Sequence, residues 1–156
     1  MVNKYLLLGL TCLPFTLGAQ TFSKDVVTYQ VHQNFETVKS NLEATIVDKG
    51  FTLNNTLHVS DMLQRTGKDI GFPHPVYAKA ETLEFCSAAM AHRLVQAHPD
   101  NVINCPFILT LYSTVAQPKQ TTIAFRKPLL SEQSQGLSQE EVEKWLRGII
   151  HDALEE

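Results

Sequence analysis

Apolar and polar positions change period several times along the chain, and each change predicts an element. Val26 to Val31 is short and β-branched, as strands are. Asn34 stands where a helix cap is needed, and Phe35, Val38, Leu42 and Ile46 follow at helical spacing. Gly50 ends that helix, because glycine tolerates a left-handed backbone. From Phe51 to Val59 the period becomes two. Phe51, Leu53, Leu57 and Val59 are expected on one face, with Thr52, Asn54, Thr56 and His58 on the other.

Ser60 is expected to cap a short helix carrying Met62, Leu63 and Thr66, and Gly67 to Pro75 reads as a loop. Val76 to Phe85 predicts a strand. Ser87 to Ala97 predicts a helix with Ala91, Leu94 and Val95 inward. A turn at Pro99-Asp100-Asn101 leads into a strand over Val102 to Tyr112, paired as a hairpin with Thr121 to Arg126. After a polar linker over 129–137, Ser138 and Glu141 form a capping box. A helix over 138–156 then presents Val142, Trp145, Leu146, Ile149, Ile150 and Leu154 as one apolar stripe. Such a stripe must dock on the domain or on another subunit.

The first nineteen residues read as an address. Lys4 gives a charged start, Tyr5 to Leu10 is apolar, and Gly18-Ala19 offers a small-residue cleavage site. The stretch is shorter than the roughly 20 apolar residues of a membrane span, and Pro14 interrupts it. We expect processing after Ala19, a periplasmic or secreted location, and no integral membrane segment in the mature chain. Thr11 before Cys12 does not suit a lipoprotein site. The formal net charge is -3. Losing Lys4 makes it about -4, so the electrostatic footprint of a nucleic-acid binder is missing.

Between Val26 and Pro128 several short motifs stand in order. They are Lys49-Gly50-Phe51, Leu83-Glu84-Phe85-Cys86-Ser87-Ala88, Ala97-His98-Pro99, Asn104-Cys105-Pro106-Phe107-Ile108 and Phe125-Arg126-Lys127-Pro128. Their order resembles the bacterial family called domain of unknown function 302. Many members have Phe-Gly-Asn-Pro where Phe85-Cys86-Ser87-Ala88 stands here, and Leu-Pro where Cys105-Pro106 stands. This chain is similar to a subgroup with cysteine at both places. The resemblance implies one α+β domain over 20–128, with a curved antiparallel sheet, packed helices and commonly a homodimer. It implies no activity.

Loss of the leader leaves Cys86 and Cys105 as the cysteines. The expected helix after Cys86 rises about 16 Å, and a returning strand comes back roughly 13 Å by Cys105. The sulfurs are then level, and a disulfide is reasonable if their strands are neighbours. Three readings stay open: a structural disulfide, buried free thiols, or a reactive or soft-metal pair. For the third, Met90 adds a weak thioether candidate beside Cys86 and Cys105, and Cu(I) is the ion such ligands select. No other cofactor is expected.

The histidines His32, His58, His74, His92, His98 and His151 form no HxxxH, HExxH or CxxCH pattern. His58, on the polar face of its strand, is the one candidate for lining a pocket. Cys86 and His92 do not face each other as a nucleophilic pair. Glu81 and Glu84 have opposite strand parity, and Lys119, Arg126 and Lys127 are too few for a basic patch. No GxSxG, P-loop or GxGxxG is present, so no catalytic residue is assigned and the balance leans against an enzyme. Two functions remain: an exported binding or interaction domain stapled by one disulfide, with an unknown small ligand or protein partner, or a periplasmic thiol protein doing redox, sulfur-carrying or soft-metal chemistry.

Overall fold

The computed structural model describes residues 19–155. The expected leader lies outside them, apart from Ala19. Among the described residues, six strands form one open antiparallel sheet: β1 (Ala19–Ser23), β2 (Val26–Val31), β3 (Thr52–His58), β4 (Tyr77–Cys86), β5 (Phe107–Thr114) and β6 (Thr121–Arg126). Their spatial order is β1-β2-β6-β5-β4-β3. Four helices accompany them: α1 (Phe35–Asp48), α2 (Val59–Gly67), α3 (Ala88–Ala97) and α4 (Gln139–Glu155). The architecture is the expected α+β one. β1 was not expected; it joins β2 through a tight turn at Lys24-Asp25.

One face of the sheet carries the core. Val27, Leu83, Phe85, Leu109, Leu111 and Ile123 point at α1 and α4, which supply Val38, Leu42, Ile46, Ile149 and Ile150. Alternation within each strand turns Thr82, Thr110, Thr122 and Arg126 to the other face. Asn34 caps α1 by accepting from the Thr37 N–H at 2.9 Å, and Gly50 beyond its end has φ 73°. The capping box forms at α4. Glu141 accepts from the Ser138 N–H at 2.9 Å, while the Ser138 hydroxyl accepts from the Glu141 N–H at 3.2 Å.

Four local expectations are corrected. A bulge at Asn54 shifts the register of β3, since Leu53 opposes Phe85 but Asn55 opposes Glu84. Thr56 and His58 therefore share the face of Leu53, and Leu57 turns outward, 47% exposed. Ser60 is inside α2 rather than its cap, which falls at His58 without a side-chain bond. In α3 the inward pair is Met90 and Leu94, four residues apart, while Val95 is exposed.

The fourth correction lies after α3. The expected strand at Val102 is a 3-10 turn over Pro99–Asn104, and β5 begins only at Phe107 after a cis Cys105–Pro106 peptide. Fully buried Asn101 overrides the β propensity of Val102 and Ile103. Its amide donates to the Leu94 carbonyl at 3.1 Å and the Ser134 hydroxyl at 2.9 Å, and its Oδ1 accepts from the Ser131 N–H at 2.8 Å. The same bonds hold the polar segment over 129–137 against the domain.

Candidate functional site

Cys86 ends β4, and Ser87 caps α3 by accepting from the Met90 N–H at 3.3 Å. Cys105 leaves the 3-10 turn, its N–H bonded to the Val102 carbonyl at 3.1 Å. Phe85 opposes Phe107 in the β4–β5 ladder, so these strands are the neighbours that the bridge requires. Cys86 and Cys105 are bonded as a disulfide, with a Cα–Cα distance of 6.0 Å. Both are half-buried. A bonded pair offers no thiolate, the form that ligates metal, and Met90 packs in the core at 5% exposure.

The bridge adjoins an aromatic cluster. Trp145 of α4 lies 4.9 Å from Phe107, 5.3 Å from Phe51 and 6.2 Å from Phe85, centroid to centroid. These rings hold α4 over the lower end of β4 and β5.

Beside the cluster the sheet splits. The β5–β6 ladder joins Tyr112 to Thr122, Leu111 to Ile123 and Thr110 to Ala124, and stops there. Both strands continue, because Phe107 and Ile108 remain paired with β4, and Phe125 and Arg126 with β2. The Lys127 N–H donates to the Asp25 carbonyl at 2.8 Å. Antiparallel alternation then turns the peptide group of Arg126 away from β2, towards the gap.

The gap is a cleft of about 480 Å³. Ile108 and Thr110 line one wall, Arg126 and Leu129 the other, and Leu146 of α4 is also in its lining, so it reaches the helix layer. Pro106 and Ile103 form a rim. Asn104 ties that rim across to the far wall by donating to the Leu129 carbonyl at 2.9 Å. The disulfide thus anchors the segment that forms one side of the cleft. Sequence reasoning missed this feature, since periodicity marks strands but not where a ladder ends. The one available signal was the pair of prolines, Pro106 and Pro128, beside the two strand ends.

His58 lines neither this cleft nor the second large cavity. Its Nδ1 lies 3.1 Å from Oε1 of buried Glu81, and Lys39 Nζ lies 2.6 Å from the other oxygen. Burial alone would push the Glu81 carboxyl up, but the hydrogen bonds from Lys39 and His58 outweigh it and hold it below the ordinary range. The Glu81 hydrogen bond in turn raises Lys39. This is a charge cluster on the core face of the sheet, with Glu84 on the opposite face. The second cavity, about 640 Å³, lies between α2 and the loop after it, lined by Leu63, Ile70, Phe72, His74 and Val76. His92 is exposed, and His151 pairs with Glu155 at 3.3 Å. Among the described residues, no helix is long and apolar enough to cross a membrane.

No curated protein matches the chain. A solved structure, an uncharacterized conserved DUF302 protein from Bacillus stearothermophilus, superposes with a TM-score of 0.55 at 17% identity, covering 85% of this chain and 90% of that one. At that identity the likeness concerns the fold. The family model named "Domain of unknown function DUF302" matches residues 27–153. This span contains the sheet from β2 to β6, both cysteines and nearly all of α4, and the chain belongs to the DUF302 family.

Proposed function

We propose that this chain is an exported, non-enzymatic binding domain whose ligand occupies the cleft between β5 and β6. The observation that carries the reading is the ladder that stops at Thr110 and Ala124 while both strands continue. A continuous sheet would close there and bury more apolar surface. Instead a cavity of ligand size is kept open. The Cys86–Cys105 bond supports the reading, because it fixes one rim. It also fits an oxidising compartment, as does the apolar N-terminus.

The test is native mass spectrometry of protein recovered from the periplasm of an expressing cell. A bound small molecule should be retained by wild type and lost in Ile108→Trp, which fills the cleft from an exposed position. A ligand retained equally by both would overturn the assignment of the cleft. The mature protein should begin at Gln20, and an intact Met1 would overturn export.

A second reading draws on the half-buried state of both cysteines. A periplasmic thiol protein would cycle Cys86 and Cys105 through the dithiol, which could then take Cu(I) or sulfane sulfur. Thiol blocking at lysis followed by intact-mass measurement separates the two. A fully bridged population favours the staple, and separate blocked thiols favour the thiol protein.

A further inference from the structure

We infer that the cleft between β5 and β6 selects a small amphipathic carboxylate, held by Arg126 at the carboxylate and by the apolar wall at the other end. The inference rests on the binding reading above and specifies its ligand class. Arg126 stands on the wall of the cleft, on an exposed strand end. Among the described residues it has no ion pair and no side-chain hydrogen bond. The other cations near the site are committed elsewhere. Lys127 lies 3.6 Å from Glu143, and Glu143 also accepts from Arg147 at 2.7 Å. Glu84, opposite Ile108 in the next ladder, does not line the cleft.

One unpartnered guanidinium presents a planar fork of donors that matches a single carboxylate. A phosphate monoester, with nearly two charges, would need a second free cation. The neighbouring peptide group of Arg126, turned towards the gap, adds to the polar end. Most of the remaining lining is apolar, with Ile103, Ile108, Leu129 and Leu146 foremost, and Thr82, Thr110, Asn104 and Lys127 are its other polar members. A ligand with one anionic end and a hydrocarbon body meets both the guanidinium and the apolar wall, whereas a polyanion lacks the second free cation it needs.

The probes are decanoate and decan-1-ol, titrated into the purified protein and followed by amide NMR. Decanoate should shift the resonances of Ile108, Arg126 and Leu129, with decanol binding at least tenfold more weakly. Arg126→Gln should lose about tenfold for decanoate and nothing for decanol, while Arg126→Lys recovers part of the loss. An unchanged dispersed spectrum shows that each variant is folded. Equal binding of acid and alcohol, insensitive to Arg126→Gln, would overturn the carboxylate class and leave the cleft as the site. Shifts confined to Leu63, Ile70 and Phe72 would overturn it in favour of the α2 cavity. Absence of shifts from either probe would overturn the class, and the Ile108→Trp experiment then judges the cleft itself.

Discussion

Glu81 carries the heaviest electrostatic demand of any residue described. It is buried in the sheet, yet it remains ionised because Lys39 and His58 both reach it. Neutralising it leaves half-buried Lys39 with only Glu43, at 3.9 Å, as an ion-pair partner among the described residues, which costs about 1–3 kcal/mol. Glu81→Gln should therefore lower the urea midpoint, by an amount that double-mutant analysis with Lys39→Met reduces. The pH dependence follows from the two directions. The folded-state pKa of Glu81 is below its ordinary 4.5, so its contribution is present above that value and fades as pH falls through the folded one. The folded-state pKa of Lys39 is above its ordinary 10.5, so its contribution is present below that value and fades as pH rises through the folded one. Urea midpoints measured across pH should show both flanks in wild type and weakened flanks in Glu81→Gln. This cluster was illegible in the sequence for one reason. Strict alternation placed His58 opposite Leu53, and the extra residue Asn54 reversed that parity.

At the scale of elements, the helices were legible where periodicity and caps agreed. α1 carries Asn34 before it and Gly50 after it, and α4 carries Ser138 and Glu141, so neither depended on tertiary context. The turn at Pro99–Asn104 did depend on it, because two of the three partners of the Asn101 side chain, Ser131 and Ser134, stand thirty or more positions away. Ser138→Ala removes an acceptor for the Glu141 N–H and should cost about 1 kcal/mol of unfolding free energy in denaturant melts. Trp145→Ala should cost roughly 3 kcal/mol. Its ring contacts three phenylalanines from β4, β5 and the segment before β3, though it is only partly buried. The same melt checks it, and an unchanged midpoint would refute the docking of α4 through this cluster.

For the whole molecule, the disulfide is the long-range constraint on α3 and the turn that follows. It joins residues 19 apart in sequence. Closing a loop of this size restricts the unfolded chain by about 3 kcal/mol in the entropy model. Cys86→Ser with Cys105→Ser should lower stability by that order, and hydrogen exchange should rise first over Ala88–Ala97 and Pro99–Asn104. Uniform exchange would refute a local clamp. Family, α+β class and the cysteine pair could be read from motifs and spacing. The strand order could not, because it is settled by contacts between Val26–Val31 and Thr121–Arg126, 90 to 100 residues apart, that no local pattern records.

The short β5–β6 ladder has a mechanical consequence. It has three residue pairs, against eight between β4 and β5 and six between β2 and β6. The sheet therefore divides into two leaves, β1-β2-β6 and β3-β4-β5, joined along a narrow seam. The disulfide belongs to one leaf alone, while α1 and α4 pack against each other across the helix layer. Lateral load between the leaves falls on that short seam, where three residue pairs link the two groups of strands. A ligand entering at the cleft would press on that seam directly, at the place where the sheet has the fewest bonds to lose between its two leaves.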